Sequence, residues 1–149
     1  MSGQICIDAN LVVKLYAYED HREEAIALMD EADRVGIELI APDFAYAEIA
    51  STLRTMVYKG VLSAENGAIA IGLLKRLNVK RYDVRDLYED AWRIAERFNL
   101  GGLYDAYYLA LAELQDCTFW TADERLLNST PGLSYTRNIK AYTPGVLEG

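Results

Sequence analysis

Gln4-Ile5-Cys6-Ile7-Asp8-Ala9-Asn10 is a short apolar run that ends in an acid and passes without Pro or Gly into Leu11-Val12-Val13-Lys14-Leu15. A buried strand feeding directly into a helix is the unit from which parallel sheets are built. Asn10 is a candidate cap for the helix predicted over 11–18. Downstream, Ala25, Ile26, Leu28, Met29 and Ala32 recur at helical spacing across 21–35, and Gly36 supplies a stop. Residues 37–41 read as a second buried strand, and Pro42-Asp43 as the turn opening a helix that Gly60 closes. Ser63 caps a helix through 77, residues 79–82 have strand character, and 85–98 reads as helix. Gly101-Gly102 breaks the pattern before an apolar helix over 103–114. A strand over 117–121, a short helix over 124–128 and an edge strand over 139–142 complete the order. This alternation predicts an α/β fold, a three-layer α/β/α arrangement with a mostly parallel central sheet, in one domain over residues 1–149.

A chain of 149 residues buries roughly two-thirds of the surface its unfolded form exposes, so no staple is needed. Its 52% hydrophobic content with only 3 Pro argues against disorder. Cys6 and Cys117 stand apart in apolar surroundings without CxxC spacing, as expected of buried reduced thiols. No stretch approaches the run of about 18 apolar residues that a membrane span needs, so the expected location is the cytoplasm. The 23 acidic against 15 basic residues give a net charge of −8, which opposes long-range attraction to nucleic acid. A ligand of that kind requires a local basic patch or a bound cation.

In open parallel sheets the ligand crevice lies outside the carboxyl ends of the strands. Asp8 ends the first strand and Asp123 follows the Phe119-Trp120-Thr121 strand by one alanine, so both belong to that edge. Glu48 and Asp105 fall on helices among core-type neighbours, and no Lys or Arg stands three or four residues after Asp105. Acids on apolar helix faces are costly to desolvate unless something positive meets them. Each acid also has a structural reading. Asp8 can make a local turn with Asn10, Asp105 can complement the positive end of its helix, and Thr121 with Glu124 can form a capping box that leaves Asp123 a first-turn acid. Glu48, in mid-helix, has no such role. Together, the four suit a hard cation such as Mg²⁺ or Mn²⁺, whereas the missing His and Cys ligand pattern disfavours zinc.

Other chemistries fit less well. His21 is the sole histidine, there is no G-x-S-x-G or H-E-x-x-H, and Gly67 to Gly72 is followed by Leu73-Leu74 in place of a phosphate loop's Lys-Ser/Thr. Asp8-Ala9-Asn10 lacks the second acid of an Asp-x-Asp phosphatase opening.

Ile5-Cys6-Ile7-Asp8-Ala9-Asn10, Ala47-Glu48-Ile49, the run Tyr104-Asp105-Ala106-Tyr107-Tyr108-Leu109-Ala110 and Trp120-Thr121-Ala122-Asp123-Glu124-Arg125-Leu126 together resemble the PIN-domain family over nearly the whole chain. The resemblance implies a metal-dependent ribonuclease whose catalytic and metal-holding acids match Asp8, Glu48, Asp105 and Asp123, with Thr121 matching a hydroxyl residue near the last acid. Within the family the short form looks like VapC toxins, which implies a homodimer and a VapB-type antitoxin partner. The alternatives are an RNA-processing nuclease without an antitoxin and a non-catalytic domain stabilised by its metal. Asn10 is a further candidate beside the site.

For RNA contact, Lys75, Arg76, Lys80, Arg81 and Arg85 crowd five basic residues into eleven positions, although a solvated surface and helix end explains them slightly better. Lys14 and Arg54, each six residues after a site acid, are alternative phosphate contacts. Tyr107 and Tyr108 read as core or dimer interface.

Overall fold

The computed structural model describes residues 3–148. Five strands, β1 (Gln4–Ile7), β2 (Glu38–Pro42), β3 (Lys80–Tyr82), β4 (Thr118–Thr121) and β5 (Thr136–Asn138), form one sheet in the order β3-β2-β1-β4-β5. Every neighbouring pair is parallel. The chain steps from β1 to β2 to β3 on one side and then crosses to place β4 and β5 on the other. The strand order therefore reverses at β1 and β4, and a crevice opens outside their carboxyl ends.

Among the described residues, seven helices flank the sheet: α1 (Ala9–Val13), α2 (Arg22–Val35), α3 (Ala45–Tyr58), α4 (Ala64–Leu74), α5 (Tyr88–Phe98), α6 (Tyr104–Gln115) and α7 (Glu124–Ser129). Helix α6 packs over β1, β2 and β4. Its Ala106, Leu109 and Leu111 are wholly buried, the Cys6 thiol donates to the Tyr108 carbonyl at 3.7 Å, and the Tyr108 and Phe119 rings lie 5.5 Å apart. On the opposite face Ile7, Val12, Ala41, Ile49 and Val79 close an apolar seam. With both faces covered, the central strands β1 and β4 carry the continuous apolar runs Ile5–Ile7 and Phe119–Trp120, whereas the edge strands β3 and β5 are polar.

Three boundaries differ from expectation. Asp8, not Asn10, caps the first helix, accepting from the Asn10 amide at 3.2 Å. That helix stops at Val13 and continues as three-residue turns, with the Lys14 ammonium drawn to the Asp20 carbonyl at 2.7 Å. The final strand is Thr136–Asn138, while the predicted 139–142 starts with a 3-10 turn at Ile139–Ala141. Asn138 ends the strand by accepting from the Lys140 amide, which turns Ile139 fully into the core. The helix expected from 85 begins as a 3-10 turn at Val84–Leu87, capped by Asp83, before α5.

Candidate active site

The parallel register sets Ile7 opposite Trp120, and the Asp8 amide donates to the Trp120 carbonyl at 3.0 Å. Asp8 therefore leaves the sheet beside Thr121. The Thr121 hydroxyl, itself wholly buried, donates to one Asp8 carboxylate oxygen at 2.8 Å, and the other oxygen caps α1. Asn10 joins the two strand ends, its amide group donating to Thr121 Oγ1 and accepting from the Ala122 amide, both at 3.4 Å. The cap role of Asp8 thus coexists with its place at the end of β1, where one carboxylate both starts a helix and joins Thr121.

Asp123 begins α7 as its cap, accepting from the Leu126 amide at 3.1 Å. This corrects the capping-box reading. Thr121 turns its hydroxyl to Asp8 and the Asp123 amide, and Glu124 pairs with Lys140. Glu48, expected in mid-helix, lies instead in the first turn of α3, where its charge also complements the positive helix end, and it accepts a 2.7 Å hydrogen bond from the Tyr108 hydroxyl. The same hydroxyl accepts from the Ala9 amide at 3.4 Å, so Tyr108 links Glu48 to the helix that Asp8 caps. Asp105, in the first turn of α6, has no hydrogen-bond partner for its carboxylate among the described residues.

Burial pushes the Asp8 carboxyl up to about 7; its hydrogen bonds to Thr121 and Asn10 oppose the rise, and the charges of Asp105 and Glu48 add to it. Glu48 is raised by burial and by Asp105, against the Tyr108 bond. Asp105 is raised by burial and by Asp123, with Arg125 acting in the opposite direction. Asp105 is thus within electrostatic reach of all three other acids, and the set carries the mutual repulsion that a cation relieves. Burial and the negative Asp8 and Glu48 hold the Tyr108 proton on, which keeps it a donor to Glu48.

Among the described residues, no three His, Cys, Asp or Glu side chains are already gathered as a ligand cage. The donor chemistry nevertheless fits a hard divalent ion: all four acids are oxygen donors, Asp105 is uncommitted, and Glu48 and Asp123 each have one oxygen free of protein hydrogen bonds. Tyr108, read from the sequence as core or dimer interface, and Arg125, to which the sequence reading gave no role, are further parts of this edge. A buried tyrosine needs a partner for its hydroxyl, and Tyr108 lies three residues after Asp105, which was the available signal.

The other candidates lie differently. Lys14 is buried with its ammonium on the Asp20 carbonyl and 3.7 Å from Glu19. Arg54 is exposed on α3 against the α4 groove. In the basic stretch, Arg81 stacks over Tyr46 at 3.8 Å, Lys80 sits over Tyr82 and Arg85 pairs with Asp83. A cleft of about 750 Å³ lies at the opposite edge of the sheet against Gln4, Asp116, Thr118 and Arg137, and none of the four acids lines it.

The PIN-domain family model matches residues 5–131. The chain belongs to the PIN-domain family. VapC ribonuclease Mb0985 of Mycobacterium bovis is 37% identical over 122 residues, 82% of this chain and 87% of the relative. Two solved structures share the fold: Mycobacterium tuberculosis VapC20, a sarcin-ricin-loop-cleaving toxin, at a TM-score of 0.63 and 16% identity, covering 89% of this chain and 98% of that one, and a toxin-antitoxin complex from Klebsiella pneumoniae at 0.61 and 14%, covering 91% and 97%. Among the described residues of this PIN-domain chain, no helix is long and apolar enough to cross a membrane.

Proposed function

We propose that this protein is a Mg²⁺- or Mn²⁺-dependent endoribonuclease that hydrolyses RNA phosphodiesters, and that it is the toxin of a VapBC-type pair. The observation that carries the reading is the position of Asp105 at the strand-order reversal, within electrostatic reach of Asp8, Glu48 and Asp123. Asp8, Asp105 and Asp123 would be the main ligands, with Glu48 either completing the set or orienting the attacking water. A divalent ion held there supplies an activated water and stabilises the charge that builds on phosphorus. Thr121 and Asn10 fix Asp8, and Tyr108 fixes Glu48, so each carboxylate is aimed before substrate arrives. Because Asp8 holds its proton up to about 7, ion binding near neutrality displaces a proton.

The VapC relative and the structural neighbour that is a toxin-antitoxin complex support an antitoxin partner. The reading further takes the protein as one domain over residues 1–149 that acts as a homodimer on RNA in the cytoplasm. The test is cleavage of a mixed RNA pool in Mg²⁺, Mn²⁺ or EDTA by wild type, Asp8→Asn and Asp105→Asn, with folding checked by circular dichroism. The expected result is metal-dependent cutting lost in both variants. Cutting that persists in EDTA would contradict the reading.

A further inference from the structure

Beside Asp105 lies a cleft of about 490 Å³ between the end of α5, the start of α6 and α7, and Glu48 is not part of its lining. Its size falls within the range of roughly 300–1000 Å³ usual for small-molecule sites. Asn99, Gly101, Gly102, Tyr104, Asp105 and Arg125 line it. The two glycines leave one wall bare, since a Cβ at either would meet nothing within 4 Å. Asp105 is thus shared between the cleft and the acidic site.

Two side chains here present their functional surface to solvent. Arg125 is exposed, and its guanidinium makes no hydrogen bond, ion pair or ring contact among the described residues. Tyr104 is 65% exposed, yet its ring is held edge-on to Phe44 at 5.0 Å and lies 6.2 Å from Tyr107. A large, immobilised aromatic surface left open to solvent beside an uncommitted guanidinium is the combination that receives a nucleotide. The ring stacks on a base, and the planar donors grip a phosphate. In a chain of net charge −8 with four acids on this edge, a polyanion also needs a cation near the reacting phosphate.

We propose that this cleft is a nucleotide subsite for the substrate RNA next to the cut position, with Arg125 on a backbone phosphate and Tyr104 against the adjoining base. The assignment rests on the ribonuclease reading above and adds where the strand lies relative to the acids. Single-stranded RNA is the fitting form, because a base must be unstacked to lie on the Tyr104 ring.

The experiment is steady-state cleavage of a single-stranded RNA oligonucleotide in Mn²⁺ at several salt concentrations, using the full chain. Arg125→Gln should raise KM about tenfold, more than it lowers kcat. It should also reduce the slope of log KM against log salt by about 0.7, the signature of one lost phosphate contact on a single strand. Tyr104→Ala should raise KM at least about fivefold with the slope unchanged, and Tyr104→Phe, which keeps the ring, should recover most of that loss. Arg93→Gln, which breaks only a surface pair with Asp90, serves as the control and should match wild type. Wild-type KM and salt slope in Arg125→Gln and Tyr104→Ala, with cleavage intact, would overturn the subsite and leave the nuclease reading standing. No metal-dependent cleavage by folded wild type would remove both.

Discussion

Asp8 and Glu31 are both buried carboxylates, 9% and 2% exposed, but they sit in opposite electrostatic settings. Burial pushes Glu31 up, yet the Tyr142 hydroxyl at 2.7 Å and the amides of Gly145 and Leu147 at 2.8 and 2.6 Å outweigh it, and Glu31 is held below its ordinary value. Asp8 has donors too, from Thr121 and Asn10, but burial outweighs them, the charges of Asp105 and Glu48 add a smaller push, and it rises to about 7. Glu31 is a completed structural fastening that ties α2 to the segment after the last strand. Asp8 belongs to a group that stays electrostatically incomplete. Burial of an acid alone does not mark a site; burial with like charges and too few donors does.

The largest separation between the two regions should appear in activity. Asp105→Asn should lower RNA cleavage by more than about 100-fold, the upper end of the loss seen when only an outer partner of a metal ligand is removed. Glu31→Ala should leave cleavage per folded molecule unchanged but lower unfolding stability by about 3 kcal/mol, because two buried amides and a hydroxyl lose their acceptor. Urea titration together with the cleavage assay separates these outcomes. Equal loss of activity and stability in both variants would erase the distinction.

Next in size is an opposite response to pH in EDTA. Asp8 has a folded value above its unfolded one, so its burial costs nothing below about pH 4 and costs more as the pH climbs toward 7. Asp8→Asn should therefore stabilise the metal-free protein at pH 8 by about 2 kcal/mol, with the gain shrinking toward pH 4, after part of the Thr121 bond is lost. Glu31 has the reverse sign: its stabilisation is present above its unfolded value and is lost as the pH falls through the lower folded one. Denaturation of Glu31→Gln should approach wild type on acidification. The smallest effect is expected from Tyr108→Phe, about 1 kcal/mol in stability, with cleavage reduced about tenfold through a less well aimed Glu48.

Much of this edge was legible before any coordinates. The apolar runs of β1 and β4, each with an acid just beyond its end, place Asp8 and Asp123 on one side of a parallel sheet, and the sheet order agrees. Asp105 and Glu48 were readable because acids on apolar helix faces need a reason. What local pattern cannot carry is pairing across distance. Glu31 looks like any charged position on α2, since its partners lie more than a hundred residues away. Arg125 meets Asp105 only because α7 returns past the start of α6. The misplaced last strand has a local cause, since Ile139 has strand character but Asn138 caps a turn there.

The most direct test of the central claim, that the acids at the strand ends form an incomplete site completed by a divalent ion, is calorimetric titration of Mn²⁺ near pH 7 in two buffers of different ionisation enthalpy. The account predicts binding that releases a fraction of a proton per ion, with weaker binding and no such release in Asp8→Asn and unchanged binding in Glu31→Gln. Binding without proton release and indifferent to Asp8, or no binding by folded protein, would contradict it.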